Sequence, residues 1–175
     1  MEPPSDAGLV DRIRAGDPEA LSVVYHRHAA RLLVLAARLL ESASDAEDVV
    51  QDLFVGLPEA LGCYQESGQF PSWLRRTLVR LALMRLRAGR RRRETDLDQV
   101  VGFAVSPAGH PRDHADLARA LGQLPAEQRV VVVLRTIEGY SHHEIAELLG
   151  IRRNSSEVRF HRALQRLRRI MEESC

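Results

Sequence analysis

The sequence predicts an all-α chain of two small helical bundles joined by a flexible linker, with a helix-turn-helix in the second bundle. Three observations carry this prediction. Apolar residues recur at helical spacing along the chain with no convincing alternating strand. Capping residues stand in front of the apolar runs. Between 94 and about 114 the pattern breaks, with Gly102, Pro107, Gly109 and Pro111 among scattered acids. The expected division is therefore 1–93, a linker over 94–114, and 115–175.

Each element follows from local chemistry. A short helix is expected over about Ala7–Ala15. Asp17 caps a long helix with Pro18 at its first position, running to about Leu40. Ser44 and Glu47 form a capping box that opens a third helix to about Leu61. Gly62 to Gln69 reads as a loop, and a fourth helix runs from Pro71 into the cluster Arg90–Arg93. Beyond the linker four shorter helices are expected, at about 114–123, 126–138, 142–149 and 155–171. Val130 to Leu134 is β-branched enough to suggest a strand, but it lies inside a run framed by Pro125 and Gly139 and reads as a buried helix.

The last two helices carry the strongest signal. Ser141 caps the first, with Glu144 completing a capping box, and Gly150 stops it. Asn154 is placed to cap the second, with Glu157 three residues on. Phe160, Ala163, Leu164, Leu167 and Met171 recur at helical spacing, while Arg159, Arg162, Arg166 and Arg169 line another face. A packed stripe opposite a basic stripe suits a helix that sits on a small core and enters a DNA major groove. The competing reading is a solvated arginine-rich helix that closes a bundle.

Composition narrows the function classes. The chain has 175 residues, 25 positive and 24 acidic, for a net charge of +1, which argues against indiscriminate coating of nucleic acid. Every positive residue is arginine. Residues 116–175 hold ten arginines against eight acids, whereas 94–115 hold Arg112 against Glu94, Asp96, Asp98 and Asp113, so basic character is local. No apolar run spans a bilayer and the N-terminus does not read as a secretion signal. Cys63 and Cys175 are far apart and lack metal-type spacing, which suits reduced thiols in the cytoplasm. No metal or cofactor is expected, and no catalytic residues. His142-His143-Glu144 resembles part of a zinc-protease H-E-x-x-H site, but Glu147 stands where the second imidazole belongs.

Two other constellations stand out. Asp45, Asp48 and Asp52 are spaced to share one face of the third helix, leaving Val49, Leu53 and Leu57 for the core. Acids there suit the positive helix terminus, and an exposed acidic face equally suits a basic partner. Tyr64, Phe70 and Trp73 gather aromatics beside Arg75, Arg76, Arg80, Arg85 and Arg87. Phe70 and Trp73 read as core. The basic residues beside a polar loop could form a groove for single-stranded DNA.

With these residues in place, the chain resembles the extracytoplasmic-function (ECF) sigma factors of bacterial RNA polymerase from about residue 8 to residue 172. One anchor is SDAEDVVQDLF (Ser44–Phe54) followed by FPSWLRRTLVRLALMRLRAGRRR (Phe70–Arg92), which looks like the core-binding and −10-reading domain. The other is LPAEQRVVVVLRTIEGYSHHEIAELLG (Leu124–Gly150) with the helix after it, which looks like the −35-reading domain. The resemblance implies a factor that binds core polymerase (β′ and β subunits) and promoter DNA, and that an anti-sigma protein holds inactive. Asp45, Asp48 and Asp52 would dock on β′. Tyr64, Arg76, Arg80 and Arg87 would meet the melted −10 strand. At −35 the contacts would come from Arg152, Arg153, Ser155, Glu157, Arg159, Arg162 and Arg166, with base edges read nearer the helix start. The chain departs from the family pattern at Arg80 and Met84, which replace an asparagine and an aspartate. It departs also at Pro58, Asn154 and Ser156. The alternatives are a sigma-like decoy that binds an anti-sigma without acting on DNA, and an ordinary helix-turn-helix regulator.

Overall fold

Ser5 and Asp17 set the start of the chain's architecture. In this computed structural model, which describes residues 4–40, 42–66, 68–95 and 113–172, the Ser5 hydroxyl accepts from the Gly8 amide and opens α1 (Asp6–Arg14). Asp17 Oδ1 accepts from the Glu19 and Ala20 amides at 2.9 and 3.3 Å and opens α2 (Pro18–Leu39), as an N-cap before a helix-leading proline should. There follow α3 (Ala43–Ala60), a 3₁₀ turn (Leu61–Cys63), α4 (Phe70–Thr95), α5 (Asp113–Gly122), α6 (Ala126–Val132), a π turn (Val133–Ile137), α7 (His142–Leu149) and α8 (Arg153–Glu172). No strand occurs among the described residues.

The expected elements are all present, with three local corrections. Helix α3 begins at Ala43, so Ser44 lies within the first turn and not at its cap. Helix α8 begins at Arg153, because the left-handed Gly150 (φ 66°) leaves only Ile151 and Arg152 between the helices. The Ser156 amide donates to the Arg152 carbonyl at 3.2 Å, which places Asn154 inside the first turn and not at its cap. The run Val130–Leu134 is buried and helical, but it widens into a π turn in which the Glu138 amide reaches back to the Val133 carbonyl. Residues 96–112, most of the expected linker, lie outside the described residues, as does Cys175.

The chain divides into two compact units, Met1–Ala36 with Ser44–Arg85, and Ala37–Ala43 with Leu86–Cys175. The first is built on α1, α2, α3 and α4 around Leu9, Val24, Leu53, Leu57, Phe70, Leu74 and Leu78. The second holds α5 to α8 around Leu121, Leu124, Val130 to Leu134, Ile145 and Ala163. Among the described residues no helix is long and apolar enough to cross a membrane.

Candidate nucleic-acid interface and docking surfaces

The acidic face of α3 is only partly free. Arg85, on α4, reaches both Asp45 and Asp48 at 2.7 Å, and the Asp45 bond raises the guanidinium's proton affinity most. These groups are each about 40% or more exposed or close to it, so the cluster contributes no more than about 1 kcal/mol. Asp52 is exposed and makes no ion pair among the described residues. Beside this face, α2 and α3 enclose an open groove of about 930 Å³, lined by Tyr25, Leu33, Val50, Phe54 and Val55 with Glu47 and Gln51 at its polar edge. Val55 is 75% exposed and Tyr25 45%, which is unusual for large apolar side chains grouped on one surface. Helical spacing alone does not reveal this groove, because it depends on which faces of α2 and α3 lie side by side.

Arg85 was legible only as one more basic residue. Its spacing was the missed signal: it follows Leu78 and Ala82 at helical period, on the face of α4 that packs inward. Arg76, Arg80 and Arg87 fall on the opposite face, exposed, in line with Met84, which is 61% exposed.

Tyr64 requires a correction. Its side chain is not offered from the loop but is 5% exposed, with its ring 5.0 Å from Trp73 and 5.7 Å from Phe70. Arg14 holds the backbone here, donating to the Leu61 carbonyl at 3.0 Å and to the Tyr64 carbonyl. Glu66 Oε1 accepts from the Tyr64 hydroxyl at 3.3 Å and the Gly68 amide at 2.8 Å. Tyr64 and Phe70 are core, whereas Trp73, expected there too, is only half-buried against them, so the Tyr64 ring is not free to stack on a base.

In the second unit the capping box of α7 is complete. Ser141 Oγ accepts from the Glu144 amide at 3.2 Å, and Glu144 Oε2 accepts from the Ser141 amide at 2.9 Å. Glu144 is thereby occupied, and His143 sits 3.4 Å from Glu147. No group of His, Cys, Asp and Glu among the described residues could hold a metal.

Helix α8 turns Ser156 and Ala163 fully inward, with Phe160, Leu167 and Ile170 half-buried on the same stripe. Met171, expected in the core, is 62% exposed; the packed stripe follows 156, 160, 163, 167 and 170. Arg162, Arg166 and Arg169 are exposed on the outer face, as are Arg152 and Arg153 at the helix start. Arg159 departs from this stripe. It is half-buried and its Nη2 lies 2.9 Å from Glu127 Oε2 on α6, a partner that the local pattern of α8 could not reveal. Glu157 is half-buried and accepts from Arg153 Nε at 2.9 Å, and Ser155 is also half-buried.

Comparison with known proteins bears on both units. Residues 24–92 match the Sigma-70 region 2 family, and residues 114–167 match Sigma-70, region 4. The chain is 33% identical over 167 residues to the ECF RNA polymerase sigma factor SigM of Mycobacterium tuberculosis, which covers 95% of this chain and 85% of SigM. Among solved structures it is similar to CnrH in complex with the cytosolic domain of CnrY, at 28% identity and a TM-score of 0.59, covering 97% of this chain and 99% of that one. The fold is shared also with the sigma factor RpoE of Bartonella quintana, solved with the anti-sigma factor NepR (TM-score 0.67, 21% identity, 86% of this chain and 96% of that one).

Proposed function

The chain belongs to the ECF sigma factor family, and from that premise we propose that it binds core RNA polymerase and directs it to promoters by recognising −10 and −35 elements. The role is recognition and not catalysis, and it places the protein in the cytoplasm with polymerase. Residues 1–93 act as the region 2-like domain, 94–114 as a linker, and 115–175 as the region 4-like domain. An anti-sigma factor is the expected regulator.

The observation that carries the reading is the outer face of α8. Arg162, Arg166 and Arg169 are exposed opposite a packed stripe, on the second helix of a tight helix-turn-helix. In such a motif the N-terminal part of the helix reads base edges and the later turns meet phosphates. Ser155 and Arg162 therefore serve base recognition, with Arg152, Arg153 and Arg166 on the backbone. Glu157 and Arg159 act from the half-buried side, Arg159 through an orientation set by Glu127. In the first unit Asp52 and the adjacent groove offer the freest docking surface for β′, with Asp45 and Asp48 reached after Arg85 gives way. Arg76, Arg80 and Arg87 serve the −10 strand, and Tyr64 supports the loop from within.

The decisive experiment is run-off transcription with purified core polymerase on a library of promoters. Specific transcripts that depend on the −35 sequence are expected. A protein that binds core but starts no transcript from any template would sink the reading and favour the decoy.

A further inference from the structure

A serine hydroxyl buried where two helices meet needs a partner, because burial strips its water. Ser156 is 0% exposed, and its Oγ lies 3.0 Å from Nδ1 of His142, fourteen residues earlier in the first turn of α7. The same imidazole packs edge-on against Phe160, with ring centroids 5.4 Å apart and planes at 69°. One side chain of α7 thus meets α8 at two positions four residues apart on its inner stripe. Rotating α8 by a single residue, about 100°, would break both contacts. A small apolar residue at 156 would fill the space but supply no directional bond.

We propose that His142 is a positioning residue for the DNA-reading helix, fixing the rotation of α8 against α7 through its ring nitrogen and the Ser156 hydroxyl. The inference rests on the assignment of α8 to −35 recognition. Ser155, Arg159 and Arg162 project from the turns that this clamp holds, so their aim depends on it.

The surroundings keep the clamp in its neutral form. Burial, and then Arg135 on the π turn, hold the imidazole below its ordinary proton affinity; Arg153 and His161 on α8 add to this and Glu157 opposes it. In the neutral tautomer protonated at Nε2, the Ser156 hydroxyl donates to Nδ1. Protonation in acid turns Nδ1 from acceptor to donor, reversing the bond to the Ser156 hydroxyl, and places a cation among Arg135, Arg153 and His161.

The test uses holoenzyme reconstituted from the full chain and core polymerase. Wild type first selects a −35 sequence from a randomised pool. Discrimination between that sequence and a scrambled one is then measured for His142→Phe, Ser156→Ala, the double variant and His142→Asn, whose amide can occupy the place of Nδ1. His142→Phe and Ser156→Ala should each lose about two- to tenfold in discrimination, and the double variant should be little worse than either. His142→Asn should stay near wild type. Discrimination by wild type should hold near pH 7.5 and fall only in acid below the ordinary imidazole range, about 6.5, because the ring's proton affinity is lowered, and that of His142→Asn should not fall there. Unchanged selection in His142→Phe and Ser156→Ala overturns the proposal. So does His142→Asn behaving like His142→Phe, an outcome that remains readable if the other variants fold poorly. A wild-type holoenzyme that selects no −35 sequence defeats instead the assignment of α8, and the inference with it.

Discussion

On α3, Arg85 engages two of the three acidic residues that share a face, whereas on α8 Arg162, Arg166 and Arg169 have no ion pair among the described residues. The two units also differ in what holds them. The first closes on a wall of aromatic rings, Tyr64, Phe70 and Trp73, with His28 edge-on to Phe70 at 6.0 Å. The second has a core of branched aliphatic side chains and inserts polar groups, Arg129 and Ser156, into it. Apolar packing is strong but forgiving in orientation, whereas a buried hydrogen bond adds little net energy and demands one geometry. The packing of the first unit thus favours stability, and the buried hydrogen bond of the second favours one orientation of α8.

The sharpest way to break this comparison is Phe70→Ala. Phe70 is 1% exposed, and truncating a buried phenylalanine costs about 3–5 kcal/mol. Urea unfolding followed by Trp73 fluorescence should show the first unit lost, while α7 and α8 retain their protection in hydrogen exchange. Loss of protection in α7 and α8 at the same urea concentration would show the units to be one cooperative body.

Charge reversal tests the difference in how acids are used. Asp52→Arg removes a free charge, while Asp48→Arg also sets a cation against Arg85. Both should weaken core polymerase binding, by about tenfold if the partner surface is basic, but only Asp48→Arg should also lower the urea midpoint of the first unit. If Asp52→Arg binds core like wild type, the docking surface lies elsewhere. In the second unit Ser141→Ala removes the cap of α7 and should cost about 1 kcal/mol. That loss should appear as faster hydrogen exchange in α7, with α3 and α4 unchanged.

Much of the fold was legible because helix signals are local. Asp17–Pro18, Ser141 with Glu144, and Gly150 name their own boundaries through backbone chemistry. Ser44 and Asn154 mislead for the same reason: each has capping chemistry, but α3 starts at Ala43 and the tight Gly150 turn starts α8 at Arg153. The site was less legible, because a residue's task depends on what faces it from another element. Arg159 lies on the arginine stripe by period yet meets Glu127 from α6. Tyr64 lies in a loop by sequence yet belongs to the core. His142 looked like a fragment of a zinc site, and its partner Ser156 belongs to the next helix.

The smallest expected effect concerns pH and separates the buried histidine of the first unit from its surface charges. His28 Nε2 has no hydrogen-bond partner among the described residues and lies 3.6 Å from Asp6 Oδ1. Burial lowers the proton affinity of the ring; Asp6 opposes this, while Arg27 and Arg31 add to it. Burial prevails, since 3.6 Å is too long for a hydrogen bond that would fix the charged form. The folded state therefore binds this proton less well than the unfolded chain. The stability this contributes is complete above the unfolded pKa of about 6.5 and is lost as pH falls through the lower folded value. The urea midpoint of the first unit should drop between pH 7.5 and 5.5, and by less in His28→Phe, which keeps an aromatic ring against Phe70. A wild-type midpoint that rises in acid would mean that the pair with Asp6 outweighs burial, and this assignment of the sign would be wrong.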